Sequence, residues 1–211
     1  MVRARVAAPV EARVSALRRA DELTGPGDLA AARAAVAGAR VGEPGHEESR
    51  ARILAFIDDH PDALLRSCLV GHLTGSAVVI DPSTRQVLLL LHAKLRRWLQ
   101  PGGHADGDGN LARVALREAT EETGITGLRV LTPAVDLDVH VFHDVSGSDA
   151  DHLHLDVRHL VLTPPGAVAV TNHESDGARW VPVDELAGAD VDDGTVRMVR
   201  SAVLALDENA S

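Results

Sequence analysis

Three glutamates lie close together in the segment REATEE, at Glu118, Glu121 and Glu122. Residues 110–123 have a pattern typical of a helix, so at about 100° per residue the three carboxylates share an arc of roughly 100°. Like charges this close repel one another, and a hard divalent cation bound through their oxygens would remove the repulsion. The spacing therefore favours a metal site that also holds a phosphate substrate. A solvated acidic helix face, with Glu121 paired to Arg117, is the alternative interpretation.

A tight glycine turn precedes the acidic helix, at Pro101, Gly102 and Gly103. Glycine has no Cβ, so the backbone can approach other groups closely at these positions. The turn could therefore bring bare backbone next to the carboxylates. A solvated helix face does not need such a turn at a fixed distance, so the turn favours the metal site.

Residues 103–125 resemble the Nudix box of the Nudix (MutT-like) hydrolase family, G-x5-E-x7-R-E-U-x-E-E-x-G-U, where U is a bulky aliphatic residue. The fixed positions of the box are matched by Gly103, Arg117, Glu118, Glu121, Glu122, Gly124 and Ile125. Ala119 is a small substitute for the aliphatic residue, and Gly109 stands where the family has its first glutamate. Because the family has a glutamate there, we expect Gly109→Glu to leave activity unchanged or to raise it.

The resemblance implies an α/β fold, a Nudix-type α/β/α sandwich with a mixed β-sheet, preceded by a helical N-terminal extension. The extension is predicted at residues 1–66, and the Nudix hydrolase domain with its C-terminal helix at residues 67–211. The implied activity is an Mg²⁺- or Mn²⁺-dependent pyrophosphatase reaction, in which water attacks phosphorus and cleaves the diphosphate linkage of a nucleoside diphosphate linked to another moiety. The alternative is a catalytically weak or inactive Nudix module that binds a nucleotide and regulates a partner. Gly109 favours this alternative, and the intact REATEE segment disfavours it.

The resemblance also implies roles for individual residues. Those predicted to hold the metal are Gly102, through its carbonyl, Glu118, Glu121 and Glu122, and those predicted to act in catalysis are Arg117, Glu118 and Glu121. In some relatives the general base lies in the box, which here would be Glu118. In others it comes from a remote loop, where Asp156 and Glu174 are the candidates, although the simpler expectation for each is a surface carboxylate.

Four residues are candidates for substrate binding: Arg97, Trp98, Gly103 and Glu174. Trp98 could stack on a nucleobase, although a core position is at least as consistent with a tryptophan. Arg97 could bind a phosphate or lie on a solvated turn, and both interpretations stay open.

Two histidines and an aspartate alternate along a predicted strand, at His152, His154 and Asp156. Alternate residues of a strand lie on one face, so the three could form a transition-metal site. A polar sheet face is the favoured interpretation, because no cysteine or spaced histidine pair completes a ligand set.

The pattern along the chain changes from helical to strand-like near residue 71. Helices are predicted at residues 10–20, 29–37, 49–59, 110–123 and 195–206, with a short helical piece at 62–67. Strands are predicted at residues 76–80, 86–92, 128–135, 137–143, 152–163 and 178–183. Strands interleaved with a few helices indicate an α/β or α+β sandwich.

Composition limits the partners. The formal net charge is −10, and the acidic excess lies entirely after residue 70, so the chain lacks the basic stripe expected of a nucleic-acid binder. No apolar run approaches the roughly 20 residues of a membrane span. Cys68 is the only cysteine and the start has no secretory pattern, which favours a cytoplasmic protein. The partner that the resemblance implies is a small-molecule nucleotide substrate. Residues 1–45 are expected to be dispensable for the chemistry, and a homodimer formed through them is possible.

Overall fold

The structure, a computed structural model, describes residues 16–40, 42–143 and 150–210. Within these ranges the chain forms nine strands in one sheet, together with four α-helices. The strands are β1 Ala16–Arg18, β2 Gly71–Asp81, β3 Gln86–His92, β4 Trp98–Leu99, β5 Gly102–His104, β6 Arg129–Thr132, β7 Asp136–Phe142, β8 His152–Leu162 and β9 Ser175–Pro182. The helices are α1 Leu29–Gly38, α2 His46–Asp59, α3 Leu111–Thr123 and α4 Asp193–Ala210, and short 3-10 turns lie at Ala20–Glu22 and Val183–Gly188.

The sheet is built around the parallel pair β2 and β8. These strands run in register from Gly71 opposite Leu153 to Ile80 opposite Leu162. The strand order is β1-β6-β8-β2-β3-β4, while β5 also pairs with β2, β7 with β8 and β9 with β3, all antiparallel. The sheet is therefore mixed, as the resemblance implied.

Helices cover both faces of this sheet. One face packs Leu73 and Leu155 against α1 and α2, and Ala77 and Val79 against α3. The other face packs apolar residues of β2, β3 and β8 against Met198, Val199, Ala202 and Ala205 of α4. Because β2 is a central strand covered on both faces, every one of its residues is buried. The α/β/α sandwich is confirmed.

The described N-terminal residues contribute a strand to the sheet as well as helices that pack against it. The predicted helices at 29–37 and 49–59 are confirmed by α1 and α2. The helix predicted at 10–20 is wrong where the structure describes it, because Ala16–Arg18 pair with β6 as a strand; residues 10–15 lie outside the described ranges. Edge pairing with the apolar β6 outweighs the helix propensity of Ala, Leu and Arg. The domain boundary at residues 66 and 67 stays a prediction.

The helical piece predicted at 62–67 is a run of turns instead. The carbonyls of Ala63 and Leu64 accept hydrogen bonds from Leu73 N and Gly107 N, at 2.8 and 2.9 Å, so they do not continue a helix. The predicted strands all occur, at 86–92 with the predicted ends and elsewhere with shifted ends, and the closing helix is longer than predicted at both ends. Across the described ranges, no helix has the length and apolar character needed to cross a membrane.

Candidate active site

The acidic helix is α3, and local signals fix both of its ends. The Asn110 side chain caps the start by accepting a hydrogen bond from Arg113 N, and Gly124 ends the helix in a left-handed conformation with φ of 64°. A stripe of small residues faces the sheet, and Ala119 within it is fully buried. The alanine that departs from the family pattern therefore lies where the helix packs closely on the sheet, which fixes the direction of the neighbouring glutamates.

Strand β5 brings bare backbone to the glutamates of α3. A Cβ on Gly103 would lie 2.6 Å from Cδ of Glu118, and a Cβ on Gly102 would lie 2.9 Å from Cβ of Ser76. The Gly102 N–H donates a hydrogen bond of 3.0 Å to Glu122 Oε1. The expected close approach is therefore present: a side chain on Gly103 would meet Glu118, and one on Gly102 would meet Ser76 of β2.

The carbonyl of Gly102 lies on the same side of β5 as this N–H group. Ala77 N donates to Pro101 O and Ala105 N to Leu73 O, so the residues at odd positions of the segment pair with β2. Backbone groups alternate along a strand, so those of Gly102 point away from β2, towards α3. This direction suits the carbonyl as a metal ligand beside Glu122.

Arg117 holds Glu118 in place. Its Nη2 donates hydrogen bonds to Glu118 Oε1, at 2.6 Å, and to the His104 carbonyl, at 3.2 Å. Burial raises the pKa of Glu118, and the bond from Arg117 opposes the rise. Arg117 thus acts on the site by positioning a carboxylate between α3 and β5.

Glu122 is the glutamate of the site whose charged form is most disfavoured. It is 8% exposed. Burial is the main cause that raises its pKa to about 8; the Gly102 N–H opposes the rise, and the charges of Glu118, Glu174 and Glu121 add to it. Glu121 itself is exposed. A bound divalent cation would offset both the burial and the repulsion, so the donor set fits a hard cation.

The two remote base candidates differ in burial: Glu174 is at the surface and Asp156 is buried. Glu174 is exposed, and its charge raises the pKa of both Glu118 and Glu122, so it lies beside the acidic cluster. Asp156 is 2% exposed, and it accepts hydrogen bonds from Thr74, Ser76 and Arg158 at 2.7–2.9 Å. The expectation of a surface carboxylate is wrong for Asp156, because the parallel register of β2 and β8 places it among hydrogen-bond donors. Its oxygens are committed to these donors.

The predicted substrate-binding residues Trp98 and Arg97 already have partners. The guanidinium of Arg179 lies 4.2 Å from the centroid of the Trp98 ring. Arg97 donates to Asp192 at 3.2 Å and is largely exposed. Their roles towards a substrate stay predictions.

Gly109 lies against the backbone of the N-terminal segment. Its N–H donates to Gly27 O at 2.7 Å, and a Cβ at position 109 would lie 2.7 Å from the carbonyl carbon of Asp28, and closer still to its oxygen. The space that a glutamate would need is therefore taken by Asp28. The structure contradicts the idea that the family residue fits at this position.

The histidines of β8 have neighbours that the sequence spacing did not indicate. His72 and His104 lie beside His152 and His154. His72 and His104 belong to β2 and β5, which are remote from β8 in sequence. The only sequence signal for this grouping is that both histidines lie near the ends of predicted strands or turns.

Comparisons with known proteins give one family match and several solved structures with a similar fold. Residues 71–201, more than half of the chain, match the NUDIX domain family. The Escherichia coli dihydroneopterin triphosphate pyrophosphohydrolase is similar in structure, with 14% identity, a TM-score of 0.51 and coverage of 63% of this chain and 95% of that one. An Ap4A hydrolase of Caenorhabditis elegans in a binary complex has 16% identity, a TM-score of 0.49 and coverage of 64% and 98%. The NUDIX domain of Shewanella oneidensis NrtR, complexed with ADP ribose, has 19% identity, a TM-score of 0.49 and coverage of 64% and 87%. No curated protein matches the sequence.

Proposed function

Because this chain belongs to the Nudix family of pyrophosphohydrolases, we propose that it cleaves the diphosphate linkage of a nucleoside diphosphate joined to another moiety, with Mg²⁺ or Mn²⁺ as cofactor. The observation that carries the proposal is the burial of Glu122 beside Gly102, in a group of carboxylates that repel one another. Such an arrangement is costly without a cation. The chemistry of the site, rather than overall similarity to any one structure, supports the metal-dependent reaction.

The cation would be held by Glu118, Glu121 and Glu122 with the Gly102 carbonyl. These are all oxygen donors, which Mg²⁺ and Mn²⁺ prefer. When bound, the cation would neutralise the diphosphate and the charge that develops on the leaving oxygen. The acidic cluster could not otherwise accept an anionic substrate.

The protein groups supply orientation and proton transfer. Arg117 fixes Glu118, and the missing side chain of Gly103 lets this carboxylate lie close against the backbone of β5. In the proposed reaction a water oxygen forms a bond to one phosphorus, the bond from that phosphorus to the bridging oxygen breaks, and a carboxylate accepts the proton of the water. Glu118 and Glu174 are the two carboxylates proposed as the base.

A screen of nucleotide diphosphates tests the proposal. The purified chain is incubated with Mg²⁺ and nucleoside diphosphate sugars, ADP-ribose or dinucleoside polyphosphates, and nucleoside monophosphate release is measured by chromatography. Excess EDTA should abolish turnover, and added Mg²⁺ or Mn²⁺ should restore it. Turnover that persists unchanged in excess chelator would refute the metal-dependent mechanism.

The same screen separates the enzyme from a regulatory nucleotide-binding module. That alternative is favoured by one observation: the N-terminal segment occupies the space of the first box glutamate at Gly109. A regulatory module should bind a nucleotide in a metal-dependent manner by calorimetry while releasing no product. Product release at a rate that depends on the acidic cluster supports the enzyme.

A pair of variants tests whether Glu174 is the base. Glu174→Gln and Glu118→Gln are compared at saturating metal, and loss of the base should lower kcat by at least ~10²-fold. Asp176→Asn is the matched control, because Asp176 follows Glu174 closely and pairs with Arg96 on the surface. If Glu174→Gln behaves like this control, Glu174 is not the base.

A further inference from the structure

Four histidine side chains converge where β2, β5 and β8 meet: His72, His104, His152 and His154. Taking one ring nitrogen from each, all four atoms lie within 4.8 Å of one another. The ring centroid of His72 is 4.7 Å from those of His104 and His152, and 5.3 Å from that of His154. We call these four residues the histidine cluster.

The register of the sheet sets this arrangement. His72 and His154 are directly opposite each other in the parallel pair. His152 lies two residues before His154 and so on the same face, while His104 of β5 is opposite Thr74, the next residue of β2 on that face. The side chains therefore start from three adjacent strands with their Cα positions fixed by backbone hydrogen bonds.

The cluster contains buried nitrogens that have no hydrogen-bond partner. His72 is 4% exposed, and neither of its ring nitrogens makes a hydrogen bond. The Nε2 atoms of His152 and His154 are also buried and unpaired, although Nδ1 of His152 lies 2.9 Å from the Ala150 carbonyl. Buried polar atoms in proteins almost always have partners. One nitrogen of each of these three rings would gain a partner from a single ion bound between them.

An imidazole binds a metal through the lone pair of its unprotonated ring nitrogen, and each of the four rings directs one nitrogen into the cluster.

We propose that the histidine cluster is a binding site for one divalent transition-metal ion, with Zn²⁺ the best match to its four nitrogen donors. Imidazole ligands suit Zn²⁺, Cu²⁺ and Ni²⁺, whereas Mg²⁺ and Mn²⁺ prefer oxygen. Four protein ligands leave no open position on a tetrahedral Zn²⁺, which is typical of structural sites. The site would tie β5 and β8 to β2 and would be chemically distinct from the carboxylate cluster on α3.

A fifth histidine nearby provides a matched control. The ring of His140 lies 5.6 Å from that of His154, opposite it on β7. However, its Nδ1 is bonded to Asp138 at 2.9 Å, and it is not among the four converging residues. His140→Gln therefore changes a neighbouring histidine without removing a ligand.

The test is a titration of the full chain, stripped of metal, with ZnCl₂ in excess Mg²⁺. Calorimetry should give one Zn²⁺ per chain, and Co²⁺ in the same site should give the visible absorption of a tetrahedral complex. His154→Gln and His152→Gln should each weaken Zn²⁺ binding by at least ~100-fold, while His140→Gln should stay within about threefold of the wild type. Glu122→Gln should retain the Zn²⁺ site, since it belongs to the other cluster.

Circular dichroism confirms that each variant is folded. His152→Gln is the milder change, because His152 lies at the start of β8, so it decides the question if His154→Gln does not fold. Folded wild type that binds no Zn²⁺ stoichiometrically would overturn the proposal. Wild-type affinity in both cluster variants, or an equal loss in His140→Gln, would overturn it as well. None of these readouts depends on hydrolysis, so failure here leaves the proposed function untouched.

Discussion

A side chain at position 109 should destabilise the protein rather than improve the active site. Gly109 lies against the backbone of Gly27 and Asp28, and the conflict begins at Cβ. Backbone atoms cannot rotate away as a flexible side chain can. Both Gly109→Ala and Gly109→Glu should therefore push the N-terminal segment from the start of α3.

The size of the effect follows from the contacts of that segment. Gly109 N donates to Gly27 O at 2.7 Å, Arg113 donates to Leu23 O at 2.7 Å, and Leu23 is buried. A neutral hydrogen bond contributes about 1 kcal/mol and one from a charged donor about 1.5–3 kcal/mol. Burial of a leucine contributes about 1.5–3 kcal/mol. Detachment should cost about 4–7 kcal/mol, or a Tm decrease of at least about 8 °C for a chain of this size.

Thermal unfolding followed by circular dichroism measures this change. Gly188→Ala is the control, because a Cβ there would meet no atom within 4 Å. Hydrogen exchange should also become faster in residues 23–28 of the Gly109 variants. If Gly109→Ala unfolds within about 2 °C of the wild type and keeps this segment protected, the packing at Gly109 is not as described.

Three further results are expected. Glu122→Gln should lower kcat by at least ~10²-fold, about 3 kcal/mol of transition-state stabilisation, without lowering Tm. Glu48 is exposed, so Glu48→Gln should match the wild type in both kcat and Tm. If Glu122→Gln has the same kcat as the wild type, Glu122 is not part of the site. Burial lowers the pKa of His159 to about 4, so between about pH 6.5 and 4 the unfolded chain takes up a proton that the native chain does not. The free energy of unfolding therefore falls as the pH falls through this window. In urea titrations at several pH values, the dependence of the free energy of unfolding on pH should be smaller by one proton in His159→Leu than in the wild type. A chain lacking residues 1–45 should melt at lower temperature, because α1 buries Ala32 and Val36 in the core, but should keep its metal-dependent rate per folded molecule; a folded, metal-binding but inactive chain would show that these residues complete the site.

The parts of the site that rest on local signals could be predicted from the sequence. Helix α3 has apolar residues at helical spacing, Asn110 as its N-cap and Gly124 as its C-cap. Each of these signals depends only on residues about one helical turn away in sequence. The glycine turn was predictable in the same way, because the absence of a Cβ is visible in the sequence. These signals place Glu118 and Glu122 on one helix without any knowledge of the sheet.

The parts that depend on strand register could not be predicted. Asp156 and Thr74 are 82 residues apart in sequence, yet the parallel pairing of β2 with β8 makes them hydrogen-bond partners. The same pairing places His72 opposite His154. The helix predicted at 10–20 is wrong at Ala16–Arg18 for a related reason, since this strand forms by pairing with β6, more than a hundred residues away. Propensity describes a residue, whereas register describes a pair.

Strand β5 shows how closely the two proposed metal sites depend on one register. Its three residues alternate: Gly103 faces Glu118, the side chain of His104 faces His72 and His154, and the backbone of Gly102 and His104 bonds Glu122 and Arg117. A slip of one residue against β2 would turn His104 towards α3 and turn the backbone N–H of Gly102 away from Glu122, because side chains and backbone groups alternate with a period of two. The acidic cluster and the histidine cluster would then be lost together. A metal held by His104 would therefore also hold β5 in the register that the proposed active site needs.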